Sequence, residues 1–253
     1  MEIIPGVYFL DKVRGSNVYL LVDKCLAIID TGIPGNHTRI INFIRGLGRN
    51  PEELIHIILT HGHIDHIGSA VELQRATGAK IVVHKDELVS TPSGNYVLAP
   101  HPEEMHGWAE RIMNRHGMLK FSPTDIAVED GQILPYLGGL SIIHTPGHTR
   151  GSMCLLLEKS GVLFVGDTII NNKDRLSRPI PFHTDKNISE QSLLKITGYN
   201  FTICCFGHGP ILKQDAYKKV NNLVRSYPDS SLWRRIVRNF GLLIKFFIRL
   251  WHK

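Results

Sequence analysis

The sequence is poor in cysteine, with four in 253 residues. Cys25 and Cys154 stand singly in apolar runs and Cys204 and Cys205 are neighbours in another, a pattern unlike a disulfide framework, so a reducing compartment is expected. Long hydrophobic runs are also missing: no stretch reaches the roughly 18 uncharged apolar residues of a membrane span. The opening residues, Met1-Glu2-Ile3-Ile4-Pro5-Gly6, have neither the basic start nor the apolar core of a secretory signal. These absences point to a cytoplasmic protein. No clear internal repeat and no low-complexity segment breaks the chain.

Acid is missing from one place. Residues 230–253 contain Arg234, Arg235, Arg238, Lys245, Arg249 and Lys253 but no Asp or Glu. Taking these six from the 29 basic residues leaves 23 against 23 acids, so the net charge of +6 belongs to the tail. A neutral body lacks the basic patch of a nucleic-acid surface, and no nucleic-acid partner is expected. After the break at Pro228-Asp229, a helix turning about 100° per residue gathers those cations and His252 into an arc of about 100°. Leu242 is the only apolar residue inside that arc. Trp233, Ile236, Phe240, Phe247 and Trp251 lie with the other apolar residues outside it, across an arc roughly 200° wide. The expectation is a body of residues 1–228 and a basic amphipathic helix of residues 229–253, touching an anionic membrane at its inner surface through residues 231–253. Packing of this helix on the body, or on a second subunit in a homodimer, is the alternative.

The chain as a whole is 43% hydrophobic and is long enough to bury a sizeable core. Val7-Tyr8-Phe9-Leu10, Val18 to Val22 and Leu26 to Ile29 read as strands of a meander. Thr38 to Leu47 carries apolar residues at helical spacing. Ile57-Ile58-Leu59, a helix from Ile67 to Ala76 closed by Gly78, and Lys80 to His84 predict a βαβ unit. Met105, Trp108, Ala109, Ile112, Met113 and His116 form a helical stripe. Strand-like runs then resume at Leu140 to Ile143, Ser152 to Leu157, Val162 to Val165 and Phe201 to Phe206.

The densest chemistry lies in Thr60-His61-Gly62-His63-Ile64-Asp65-His66, where four metal-capable side chains follow an apolar run. Imidazole nitrogen and carboxylate oxygen together suit a borderline divalent metal such as zinc. Three more candidates follow later strands: His148 after Thr145-Pro146-Gly147, Asp167 after Gly166, and His208 after Gly207. Ligands gather beyond the carboxyl ends of strands in α/β architectures, so these distant segments are expected to converge.

With Asp30-Thr31-Gly32, Thr145 to Thr149, Val165 to Thr168 and Gly207 to Pro210 added, the chain resembles the metallo-β-lactamase-fold hydrolases from about residue 5 to about residue 215. The resemblance implies an αβ/βα four-layer sandwich with two mixed β-sheets. It implies two divalent metal ions, zinc foremost with iron or manganese as alternatives: His61, His63 and His148 on one, Asp65, His66 and His208 on the other, Asp167 bridging. Such a pair lowers the pKa of a shared water, supplies hydroxide near neutral pH and polarises the carbonyl under attack. Asp65 is assigned to orienting that nucleophile, and Asp30 to hydrogen-bonding the ligands or their loops.

The implied activity is hydrolysis of a small ester-type bond, thioester or lactone, in the manner of glyoxalase II and its relatives. Relatives that open acyl-homoserine lactones place a Tyr three residues after the bridging Asp, where this chain has Ile170. A mononuclear-iron persulfide dioxygenase, or a membrane-associated protein retaining the fold, are the alternatives. Arg150 and Arg175 are the candidates to receive an anionic part of the substrate. His37, His56, His84, His101, His106, His116, His144, His183 and His252 have no motif behind them and are expected outside the site.

Overall fold

Alternation along the central strands decides the architecture, because these strands are buried on both faces. In β3 (Tyr19–Val22), Tyr19 and Leu21 point one way and Leu20 the other; in β4 (Leu26–Ile29), Ala27 and Ile29 oppose Leu26 and Ile28. The same division recurs in β5 (Leu54–Ile58) and β6 (Lys80–His84). Runs without a polar face are what a sheet covered on both sides requires. The computed structural model describes residues 1–90, 96–98, 119–120, 122, 125–173, 175–178 and 186–226.

The first sheet begins with β1 (Glu2–Ile4) and β2 (Val7–Phe9), which continue into β3 and β4 as the expected antiparallel meander. It then turns parallel through β5, β6 and β10 (Ile126–Val128), giving seven strands in the order β1-β2-β3-β4-β5-β6-β10. The second sheet has five strands: β11 (Ile133–Leu134), β12 (Leu140–His144), β13 (Met153–Leu157), β14 (Val162–Phe164) and β17 (Ile203–Cys205). Strands β7 (Leu88–Ser90), β8 (Tyr96–Leu98) and β9 (Leu119–Lys120) form a small separate sheet, and β15 (Ile170–Asn172) and β16 (Arg175–Ser177) a hairpin.

One core lies between the two large sheets and two lie outside them. Tyr19, Ile29, Ile58 and Val82 meet Leu140, Leu155 and Phe164 in the middle. Helices α1 (His37–Gly46) and α3 (Ala70–Thr77) cover the first sheet with Ile40, Ile44 and Leu73. Helices α4 (Lys186–Ile196) and α5 (Ala216–Arg225) cover the second with Leu193, Ile196, Ala216, Val220 and Val224. Each such aliphatic side chain stabilises the fold by about 1.5–3 kcal/mol when fully buried. The layers are helix, sheet, sheet, helix, which is the expected αβ/βα sandwich.

One element differs from expectation. The helix predicted from Ile67 to Ala76 is two helices, α2 (Ile64–Ile67) and α3, with Gly68 and Ser69 between them. Gly68 packs so tightly on Ile33 and Pro34 that a Cβ there would overlap both. The Ser69 amide donates to Thr31 Oγ1 (3.2 Å) and the Ser69 hydroxyl to the Ile33 carbonyl (2.7 Å), so local hydrogen bonding replaces helical continuation. Gly78 ends α3 in the left-handed conformation, φ 75°. The stripe from Met105 to His116 and the tail of residues 229–253 lie outside the described residues. No helix among the described residues is long and apolar enough to cross a membrane.

Candidate metal centre

Strand direction gathers the candidate ligands. β4, β5 and β6 are parallel, so the chain leaves β4 at Asp30 and β5 at Thr60 on the same edge of the first sheet. In the second sheet β12 and β14 are both antiparallel to β13 and β17 is parallel to β14, so His148, Asp167 and His208 follow strand ends on one edge. Near the site the sheets are tied together. Asn17 Nδ2 donates to the Phe206 and Gly209 carbonyls (2.9 and 2.8 Å), the Tyr19 hydroxyl to the Phe206 carbonyl (2.7 Å), and the Met153 amide to the Thr60 carbonyl (3.0 Å).

All seven sequence candidates meet there. His61, His63 and His148 form one group, Asp65, His66 and His208 another, and within each group one ligand atom per residue lies within 4.8 Å of the others. His61 Nε2 is 3.2 Å from both His63 Nδ1 and His148 Nε2. In the second group His208 Nε2 is 3.3 Å from His66 Nε2 and 3.1 Å from Asp65 Oδ2. Asp167 Oδ2 lies 3.6 Å from His148 Nε2 and 3.4 Å from His208 Nε2, touching both groups. Its other oxygen, Oδ1, is buried and makes no hydrogen bond, with His66 Nε2 3.4 Å away. Nitrogens facing nitrogens, around a carboxylate with an orphaned oxygen, make a poor hydrogen-bond network and a good donor set for nitrogen- and oxygen-preferring divalent cations.

Residues 11–208 match the family model of the metallo-beta-lactamase superfamily. The chain belongs to that superfamily. Its relatives include the probable metallo-hydrolase YflN of Bacillus subtilis, 28% identical over 227 residues, which are 82% of this chain and 85% of that one. The hydroxyacylglutathione hydrolase GloC of Haemophilus influenzae is 32% identical over 172 residues, 67% of this chain and 71% of that one. A metallo-beta-lactamase family protein from Thermus thermophilus has the same fold at a TM-score of 0.66 and 21% identity, over 88% of this chain and 80% of that one. This superfamily member is a hydrolase of the metallo-β-lactamase fold.

The two groups differ in charge. Burial, then the neighbouring imidazoles, push His61 well below its usual pKa, and burial with His148 and His66 brings His63 down to about 3. These rings are neutral, as metal ligation requires. In the second group burial works against protonating His66, but Asp167 and Asp30 outweigh it and hold the ring well above its usual value. Burial opposes His208 too, yet its bonds to Asp167 and Asp65 raise it to about 9. Burial disfavours the charged forms of Asp65 and Asp167. For Asp65 the bond from His208 prevails and brings the carboxyl to about 2; for Asp167, His66 and His208 hold it well below the carboxylate range. In the metal-free site, protons on the second group offset the carboxylates.

Asp30 follows β4 with φ 59° and is 2% exposed. Its Oδ2 accepts from His66 Nδ1 (2.7 Å) and from the Thr60 hydroxyl (2.8 Å), while Oδ1 accepts from the Thr60 amide (2.8 Å). His61 Nδ1 lies 3.1 Å from the same hydroxyl. One carboxylate thus contacts His66 directly and His61 through Thr60.

Arg150 and Arg175 are not brought together. Arg150 lines a cleft of about 490 Å³ beside Pro146 and Gly147, along with Lys85 and His144; Arg175 starts β16, exposed, and is not in its wall. A further group, His84, Asp86 and His144, falls within ligand distance but does not suit a metal. His84 Nδ1 already accepts the Asp86 amide (3.3 Å), His144 Nε2 donates to the Arg150 carbonyl (2.9 Å), and the rings stack nearly parallel at 3.7 Å. His56 bonds the Tyr136 hydroxyl at 2.7 Å. His101, His106, His116, His183 and His252 lie outside the described residues. Sequence reasoning missed Thr60 as a support and Glu87 altogether. Nothing in the sequence singles Glu87 out: it ends the short turn after β6 and belongs to no motif.

Proposed function

We propose that this chain hydrolyses a small ester-type bond, a thioester ahead of a lactone, with two divalent cations, zinc foremost, held by the two donor groups. The observation that carries the reading is the Asp167 carboxylate, whose Oδ2 is 3.6 Å from one group and 3.4 Å from the other. His61, His63 and His148 would hold one cation, Asp65, His66 and His208 the second, and Asp167 both. When bound, such a pair would supply an acidified water and a Lewis acid for the substrate carbonyl.

The chain's own side chains supply the rest. The Asp65 side chain is 27% exposed and that of His66 fully buried, so Asp65 is on the open side where water arrives. Its Oδ2 stands among the donor atoms, 3.1 Å from His208 Nε2, which leaves the other carboxylate oxygen to accept a hydrogen bond from the attacking water and orient it. Arg150, in the cleft beside the His148 loop, receives an anionic arm of the substrate. A thioester is favoured because GloC is named for hydroxyacylglutathione, whose acyl group is carried on sulfur. Ile170 in β15 offers no hydroxyl to a homoserine lactone.

Elemental analysis with a panel of thioesters, lactones, phosphodiesters and persulfides tests the reading. The expected outcome is close to two metal ions per chain, loss of both in Asp167→Ala, and in Asp65→Ala a fall in turnover beyond any loss of metal. One iron per chain with oxygen uptake on glutathione persulfide would overturn it.

A further inference from the structure

Glu87 is an acid outside both donor groups, and it is only 2% exposed. It ends the 3-10 turn Lys85–Glu87 that follows β6. Oε1 accepts the Gly62 amide at 2.5 Å, while Oε2 accepts the Gly151 amide at 2.7 Å and the Thr149 hydroxyl at 2.8 Å. Gly62 stands between His61 and His63, and Thr149 follows His148 directly. One oxygen therefore holds the loop leaving the first sheet, and the other holds the loop leaving the second.

The approach is close enough to dictate residue type. A Cβ on Gly62 would lie 2.8 Å from Oε1; one on Gly151 would collide with the Glu87 amide and lie 2.6 Å from Oε2. Glycine at both positions lets backbone N–H groups reach the carboxylate. Burying a carboxylate is costly unless donors replace its water, and these three do so. A carboxylate is the side chain that suits the place, because it accepts at both oxygens, whereas an amide accepts at one.

We infer that Glu87 is a positioning residue that fixes the spacing of the His61–His63 segment against His148, and so sets the metal affinity of that three-histidine group in particular. The inference rests on the reading that these histidines hold a metal. The orientation of Asp65, His66 and His208 comes instead from Asp30, Asp167 and one another.

The test uses the full chain, stripped of metal and titrated with cobalt(II) and zinc(II) against a competing chelator. His148→Ala and His208→Ala identify which cobalt absorption bands and which binding constant belong to each group. In Glu87→Gln the constant missing from His148→Ala should weaken about 10–100-fold, the range for residues supporting a ligand. Its cobalt bands should shift, and the other constant should stay at its wild-type value. Wild-type constants for both groups, or equal weakening of both, would overturn the inference while leaving the metal reading intact. A wild-type chain that binds neither cation would instead overturn the reading beneath it. Should Glu87→Gln not fold, Thr149→Val removes one tie and keeps the charge: selective weakening of the same constant supports the inference, and unchanged constants overturn it.

Discussion

Replacing Asp30 by Asn keeps the size of the side chain and a backbone at φ 59° that Asn tolerates, and it removes one acceptor oxygen. Two fixed donors use different oxygens of Asp30: the Thr60 amide reaches Oδ1 at 2.8 Å and His66 Nδ1 reaches Oδ2 at 2.7 Å. The Thr60 hydroxyl can rotate away, but the Thr60 amide cannot, nor can His66 Nδ1 while the ring holds the proton that its raised pKa favours. Whichever way the Asn amide is turned, its NH2 group faces one of them. Asp30 is 2% exposed and His66 0%, so water does not take over. An unsatisfied buried donor costs about 1–3 kcal/mol, and a chain of this size loses roughly 2–4 °C in Tm for each kcal/mol. Metal affinity of the group containing His66 should fall about 10–100-fold, equivalent to about 1.4–2.8 kcal/mol. Thermal denaturation of the metal-free variant reads the first quantity, and zinc competition against a chelator reads the second. Asp30→Asn with wild-type stability and with both zinc constants within about twofold of wild type would refute the reasoning, since the orphaned donor would then have no cost.

Gly207→Ala should empty the site: its new Cβ would collide with Asp167 Oδ1 and lie 2.7 Å from His66 Cε1, and a variant retaining two metals by elemental analysis would contradict this. His208 gives a pH test in the metal-free protein. Its folded pKa of about 9 lies above the ordinary 6.5, so its stabilisation is full below about 6.5 and is lost as pH rises through 9. Denaturant unfolding between pH 6 and 8.5 should show wild type losing stability relative to His208→Gln, and parallel curves would contradict the assignment. The basic tail, judged from its sequence, should carry the full chain down with anionic vesicles at low salt, and a chain ending at Ser230 should stay in solution. Equal sedimentation of the two would exclude membrane contact through residues 231–253.

The strands and the donor types were legible in the sequence because both rest on local rules. A strand buried on two faces needs an unbroken apolar run such as Leu26 to Ile29, and a divalent site needs imidazole and carboxylate at short spacing, as from His61 to His66. The break at Gly68-Ser69 was not legible, because the backbone of Ile33 and Pro34 that causes it comes from a separate segment. Convergence was decided by tertiary structure: strand direction in two sheets brings His148, Asp167 and His208 to the edge where His61 waits, and places one oxygen of Asp167 between the two groups. Glu87 shows the limit most plainly. A single Glu after a strand has no periodicity and no motif, and what sets it apart is three donors from two distant loops. Hydrogen bonds between segments remote in sequence leave no spacing to read, so only the packed sandwich reveals which acid holds the loops and which acids join the donor groups.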